Sequence, residues 1–245
     1  MTIDEPIRIN KYLSAAGFCS RRRADSLIDE GRVTIDGKIA LKGTMVTPEQ
    51  IVYVDGIPVE NKDRKDILLL VNKPKGIVCT AQSKEENNII DFLNYPRRIY
   101  PVGRLDKDSR GLILMTNVGE LHNEITSVSN MHEKEYIVTV NKRIDAGFIK
   151  NMSEGVYLKD LEQMTLPAQV KKLSERTMSI VLHEGKNRQI RRMCNALSYR
   201  VLDLKRIRIM HFLLDGIEEG SYREATKDEW ERLGAKFNKP KDEIS

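Results

Sequence analysis

IYPVGRLDKDSRGLILMTN, residues 99–117, reads as an apolar strand, a polar turn and a second apolar strand, and this pattern sets the fold class for the larger part of the chain. The first run closes on Gly103, Arg104 and an acid, Asp106; polar residues lead on to Gly111, after which the chain is apolar again. Short apolar runs bounded by glycine and polar turn residues are the signature of neighbouring strands. Loops held by rigid strands often carry catalytic groups, which makes Asp106 a candidate. On spacing alone, an ordinary aspartate in a strand-to-strand turn is the better account.

Working outward, strand-like runs recur at 67–71, 135–140, 167–173 and 178–182, and helical spacing at 88–94, 118–126, 145–152, 187–197 and 226–233. Thr226 and Glu229 have capping-box spacing in the last of these. Strands outnumber helices and do not alternate with them, so the domain over 67–235 is expected to be α+β, with a mixed, largely antiparallel sheet. Ahead of it, Ile9, Leu13 and Ala16 fall at helical spacing before Gly17. Ser20 is positioned to cap a second helix with Ala24, Leu27 and Ile28 on one face and Gly31 at its end. Asp36-Gly37 and Asp55-Gly56 are hairpin turns between short apolar runs. Residues 1–60 therefore read as a small helix-helix-hairpin unit, followed by a polar linker at 61–66; residues 236–245 read as a tail.

A chain of 245 residues, 40% apolar and 31% charged, has ordinary globular composition and room for two such domains. No targeting or membrane segment is evident, since the longest apolar run, 67–71, is far too short to span a bilayer; a cytoplasmic monomer is expected. Cys19, Cys79 and Cys194 lack paired spacing and read as reduced thiols, and His122, His132, His183 and His211 are scattered, so no metal is assigned. The net charge of +5 is a weak pointer to an anionic partner. Its distribution is more telling: residues 183–212 hold eight Lys or Arg against two acids, an excess larger than that of the whole chain. Arg8, Lys11, Arg21, Arg22, Arg23 and Arg32 cluster around the two N-terminal helices. Tracks of this kind suit RNA phosphates.

RINKYLSAAGFCSRRRADSLIDEGRVTIDGK, residues 8–38, resembles the alpha-L RNA-binding module of a ribosomal small-subunit protein and several RNA-modifying enzymes. The second domain shows no Walker loop, dinucleotide glycine fingerprint or nucleophile elbow. Its motifs NKPKGIVCT (72–80), IYPVGRLDKDSRGLILMTN, HEKEYIVTV (132–140) and EGKNRQIRRM (184–193) together resemble the RsuA/RluB/RluF branch of the pseudouridine synthases, and within it most the F type that acts on large-subunit ribosomal RNA. The resemblance implies a pseudouridine synthase fold, isomerisation of a uridine in 23S ribosomal RNA, and no cofactor. It implies Asp106 as the catalytic aspartate, Tyr136 as the ring that stacks on the target base and Arg191 as the basic partner of Asp106.

Helical spacing over 187–197 places Ile190, Met193, Cys194 and Leu197 inward, with Arg191 at the flank and able to reach Asp106. Arg188 and Arg192 then face outward, and with Lys186, Asn187 and Gln189 are expected to contact RNA. Arg104 is expected at the mouth of the nucleotide pocket. Two other readings stay open on residues alone: a non-catalytic RNA-binding or ribosome-assembly protein, and a glycosidase-type hydrolase using Asp106 and Asp108 as a carboxylate pair.

Overall fold

The computed structural model describes residues 5–59, 65–80 and 85–234. Most of the expected linker, and the whole of the expected tail at 236–245, lie outside the described residues. The chain divides into two compact units: Met1–Ile67 with Pro96–Arg98 and Asn117–Gly119, and the remainder.

In the first unit, strand β1 (Ile7–Arg8) leads into helix α1 (Ile9–Ala15), followed by helix α2 (Arg21–Asp29). Ile9, Tyr12 and Leu13 form the buried face of α1, and Gly17 leaves it at φ +78°, a left-handed exit that glycine adopts without strain. Ser20 Oγ accepts from the Arg23 amide at 3.2 Å and so satisfies one of the free N–H groups at the start of α2, whose buried face is Ala24, Leu27 and Ile28. Strands β2 (Val33–Ile35), β3 (Lys38–Ile39), β4 (Met45–Val46), β5 (Val52–Val54) and β6 (Ile57–Pro58) follow. β4 pairs with β1, and the others form an antiparallel sheet ordered β3-β2-β5-β6. Both hairpin turns have two consecutive positive φ angles, Asp36-Gly37 and Asp55-Gly56, the geometry that matches strand twist.

The second unit is built on a nine-stranded sheet. Its strands are β7 (Leu68–Lys73), β8 (Tyr100–Val102), β9 (Arg110–Thr116), β10 (Lys134–Val140), β13 (Gln169–Lys172), β14 (Thr177–Leu182), β15 (Val201–Ile209), β16 (Phe212–Leu213) and β17 (Tyr222–Glu224). The order is β13-β14-β10-β15-β9-β7-β17, with β8 on β9 and β16 on β15; a separate hairpin pairs β11 (Tyr157–Leu158) with β12 (Gln163–Met164). All these pairings are antiparallel except β9 with β15. β7 is buried along its whole length and β9 along nearly all of it, as expected of strands covered on both faces. Around the sheet lie α3 (Ile89–Leu93), α4 (Gly119–Thr126), α5 (Ala146–Glu154), α6 (Gln189–Ala196) and α7 (Lys227–Glu231). The capping box at Thr226 and Glu229 is formed.

The fold is the α+β arrangement read from the sequence, with one major element added. β15, the nine-residue strand beside β10, does not stand out in the sequence because Asp203, Lys205, Arg206 and Arg208 obscure its alternation. Among the described residues no helix is long and apolar enough to cross a membrane.

Candidate active site

Chain geometry places Asp106 in the lining of a cleft, with its side chain about a third exposed. β8 ends at Val102, Gly103 turns the chain at φ +71°, and Asp106 opens a turn closed by the Ser109 amide donating to its carbonyl at 3.1 Å. A second brace comes from the loop after β7, where the Gly76 amide donates to the Lys107 carbonyl at 2.8 Å. That loop is itself held by Lys73, whose fully buried ammonium donates to the carbonyls of Pro74 (2.8 Å) and Ile77 (2.9 Å). Burial pulls the Lys73 pKa below the ordinary lysine value.

The cleft encloses about 210 Å³. Asp106, Arg104 and Arg188 line it, as do Tyr136, Leu204 and Arg206 from the sheet. Tyr136 on β10 is only 9% exposed and lies across from Ile180 of β14 and Arg206 of β15, beside a register shift at Glu135/Tyr136 that re-aims the strand. Lys134 also reaches the cleft, with its Nζ donating to the His132 carbonyl at 3.2 Å; burial lowers its pKa too.

The arginines around Asp106 differ from the arrangement expected of a helix starting at 187. Arg188 precedes α6 with a left-handed backbone at φ +50°, and its side chain points toward the Asp106–Ser109 turn rather than away from it. Its Nη1 lies 3.6 Å from Asp106 Oδ2, and its two Nη atoms form a fork on the Asp108 carboxylate at 3.1 Å each. Arg191 instead donates to the Asp108 carbonyl and to Ser109 Oγ, both at 3.1 Å, and sits 3.3 Å from Asp108 Oδ2. The cation nearest Asp106 is therefore Arg188, and Arg191 holds the turn that follows. Burial pushes the Asp108 pKa up, but the Arg188 fork and the two guanidinium charges outweigh it, leaving Asp108 below the usual carboxylate value. A carboxylate held ionised in this way is poorly placed to act as the proton-bearing acid of a glycosidase pair.

Other expected RNA contacts are redistributed. Gln189 is buried, donating to Glu184 Oε1 at 2.7 Å and accepting from the Lys186 amide at 3.0 Å, so it is withdrawn from RNA; a helix N-terminus needs such partners, which hold the loop before α6. Lys186 pairs with Glu184, and Arg192 pairs with Asp160 and holds the Asn187 carbonyl and side chain. In the first unit Arg32 forks onto Asp55 at 2.8 and 2.6 Å and also meets Glu30, which makes it a fastener of the module, while Arg8, Arg21 and Arg22 stand exposed and Lys11 is half-buried. Arg23 is exposed but meets Glu30 at 3.3 Å.

Lys73 and Lys134 lie inside the NKPKGIVCT and HEKEYIVTV motifs and Arg206 inside the basic stretch 183–212, but nothing in these runs singles the three out as cleft residues. Pro74 and Gly76 after Lys73 mark its loop, while Lys134 and Arg206 sit within runs of charge that carry no local sign of burial. Among the described residues no cluster of three or more His, Cys, Asp or Glu has the arrangement of a metal site.

The profile of the family described as RNA pseudouridylate synthase matches residues 67–196, and that of the S4 domain matches residues 7–52. Similar proteins include the dual-specificity RNA pseudouridine synthase RluF of Escherichia coli (strain K12), 47% identical over 94% of this chain and 79% of its own length. This chain belongs to the RNA pseudouridylate synthase family. Another relative, ribosomal large subunit pseudouridine synthase B of Bacillus subtilis (strain 168), is 36% identical over 93% of this chain and 96% of its own. A solved structure titled as that of a pseudouridylate synthase superposes with a TM-score of 0.68 at 30% identity, covering 93% of this chain and all of the other. The protein is thus an RNA pseudouridine synthase with an N-terminal S4 domain. Its reaction exchanges the N1–C1′ bond of a uridine for a C5–C1′ bond, an isomerisation that consumes no second substrate.

Proposed function

We propose that this synthase isomerises a uridine in a stem-loop of 23S ribosomal RNA, with Asp106 as its catalytic carboxylate. The names of the Escherichia coli and Bacillus subtilis relatives support an RNA substrate and the large ribosomal subunit respectively. The observation that carries the assignment is the setting of Asp106: a carboxylate lining the cleft, on a turn braced from two sides, with a guanidinium 3.6 Å away.

The uridine leaves its stack and enters the cleft, where the Tyr136 ring offers a face to the base. As the N1–C1′ bond breaks, its electron pair leaves with the base, and Asp106 compensates the positive charge at C1′, covalently or as an ion pair. The base turns to present C5, the C5–C1′ bond forms and frees the carboxylate, and the C5 proton is lost to solvent while N1 takes one up. Arg188, 3.6 Å from Asp106, holds a positive charge beside the carboxylate, and Arg104 meets the strand at the mouth. No cofactor or metal takes part. The S4 unit, through Arg8, Lys11, Arg21, Arg22 and Arg23, supplies phosphate contacts, and the enzyme works as a monomer in the cytoplasm.

Asp106→Asn keeps the shape and removes the charge. Tritium release from RNA carrying 5-tritiated uridine is expected to vanish, while RNA affinity stays within about threefold because phosphate contacts elsewhere supply most of it. Release at the wild-type rate would overturn the assignment. Pseudouridine maps of ribosomal RNA from cells with and without the protein locate the target.

A further inference from the structure

Arg206 is the least expected group in the cleft. It lies on β15 directly across from Tyr136, lines the same cleft, and is only 4% exposed. Its Nε donates to the Leu112 carbonyl at 2.7 Å and its Nη1 to the Arg104 carbonyl at 3.4 Å, so one guanidinium ties the residue that opens the catalytic loop to the strand that follows it. Both partners are neutral. Nη2 is buried and, among the described residues, has no hydrogen-bond partner. Lys73 and Lys134 differ in that their ammonium groups meet protein carbonyls and neither has such an orphaned donor.

A buried charged donor without an acceptor is costly, and in the wall of a cleft an acceptor on a bound ligand would complete it. Substitution elsewhere would not reproduce this placement, because the backbones of β15 and β9 meet at Arg206 and Gly111. A Cβ on Gly111 would stand 2.2 Å from the Arg206 carbonyl oxygen.

On the reading that this cleft isomerises uridine, we propose that Arg206 is a second catalytic residue, whose free Nη2 donates to a carbonyl oxygen of the flipped uracil. The electron pair released from the N1–C1′ bond spreads onto the uracil carbonyl oxygens. A fixed cation there stabilises the departing base, as Asp106 stabilises the sugar it leaves. The charge disappears again when C5 rejoins C1′, after which the C5 proton is exchanged through solvent for one on N1. The two halves of the broken bond thus meet opposite charges, Asp106 on the sugar side and Arg206 on the base side.

The test is leaving-group sensitivity, which a merely structural clamp does not alter. Single-turnover consumption of the target nucleoside is measured for wild type, Arg206→Gln and Arg206→Lys, on RNA carrying uridine or 5-fluorouridine at that position. Fluorine stabilises the departing base and lessens its need for a cation. Arg206→Gln is expected to slow uridine by about 100-fold, the size of effect seen on removing one preorganised donor, and 5-fluorouridine by only about tenfold. Arg206→Lys, which keeps the charge, falls between wild type and Arg206→Gln on uridine and makes the same comparison if the Gln variant does not fold. Equal slowing on both nucleosides, or no slowing, overturns the proposal. Absence of tritium release by the wild-type enzyme would instead overturn the reading of the cleft on which it rests.

Discussion

At the scale of single residues, the two arginines of the NRQIR segment divide the work differently from the way helical spacing implies. Arg188 owes its approach to Asp106 to a left-handed backbone, and such strained positions concentrate at functional sites. Arg191, largely buried, is bonded to the turn itself. Arg188→Ala should therefore lower kcat by about tenfold or more, since a contact between charged groups is worth about 1.5–3 kcal/mol and each 1.4 kcal/mol is about a factor of ten in rate, with little change in melting temperature. Arg191→Ala should mainly destabilise, by about 1–3 kcal/mol for lost hydrogen bonds to a charged group. Steady-state rates and thermal melts of the two variants decide this. If Arg191→Ala abolished turnover at full stability while Arg188→Ala were silent, Arg191 would be the partner of Asp106 after all.

At the scale of elements, the loop that carries Asp106 leads into the one parallel pairing in the large sheet among the described residues, β9 with β15, where Arg206 faces Gly111. Gly111 has φ +103° and has the Arg206 backbone against its α-carbon, whereas Gly17, also at positive φ, has open space around it. The same substitution should thus have unequal effects. Gly17→Ala should cost about 1 kcal/mol for the left-handed backbone alone, and Gly111→Ala about 3 kcal/mol or more, because strand separation adds to backbone strain. Urea denaturation measures both. Equal costs would show that β9 and β15 do not depend on this close approach. β15 itself shows what sequence patterning hides: Arg208 meets Glu133 at 2.8 Å and Glu135 at 2.9 Å, so part of a run that reads as phosphate-binding is neutralised by its neighbour in the sheet.

At the scale of the whole molecule, the two units carry different chemistry on our reading, and they should separate. The Asn117 side chain accepts from the Ile67 amide at 2.9 Å and donates to the Lys65 carbonyl at 3.1 Å, so a chain lacking residues 1–60 keeps these fastenings. That truncated protein should fold. Its RNA binding should be weaker and less dependent on salt, the slope of log affinity against log salt falling by roughly 0.7–0.9 for each phosphate that the S4 unit no longer neutralises. Affinity measured at several salt concentrations checks this, and an unchanged slope would remove the S4 unit from RNA binding.

Local sequence was enough for whatever depends on local forces. The Ser20 cap, the Gly17 and Gly31 exits, the two Asp-Gly hairpins and the capping box at Thr226 are properties of a few adjacent residues, and all formed as read. The order of four motifs marked the family. What only the tertiary structure decided are pairings between residues far apart in the chain. Arg188 meets the Asp106–Asp108 turn from 80 positions away, Arg206 reaches Leu112 across 94, and Gln189 is buried against Glu184 inside a run that looks solvated. A charged side chain looks the same in sequence whether it faces water, a carboxylate or a cleft. Its burial and its partners are set by strand register and by single backbone angles, and these have no local signature.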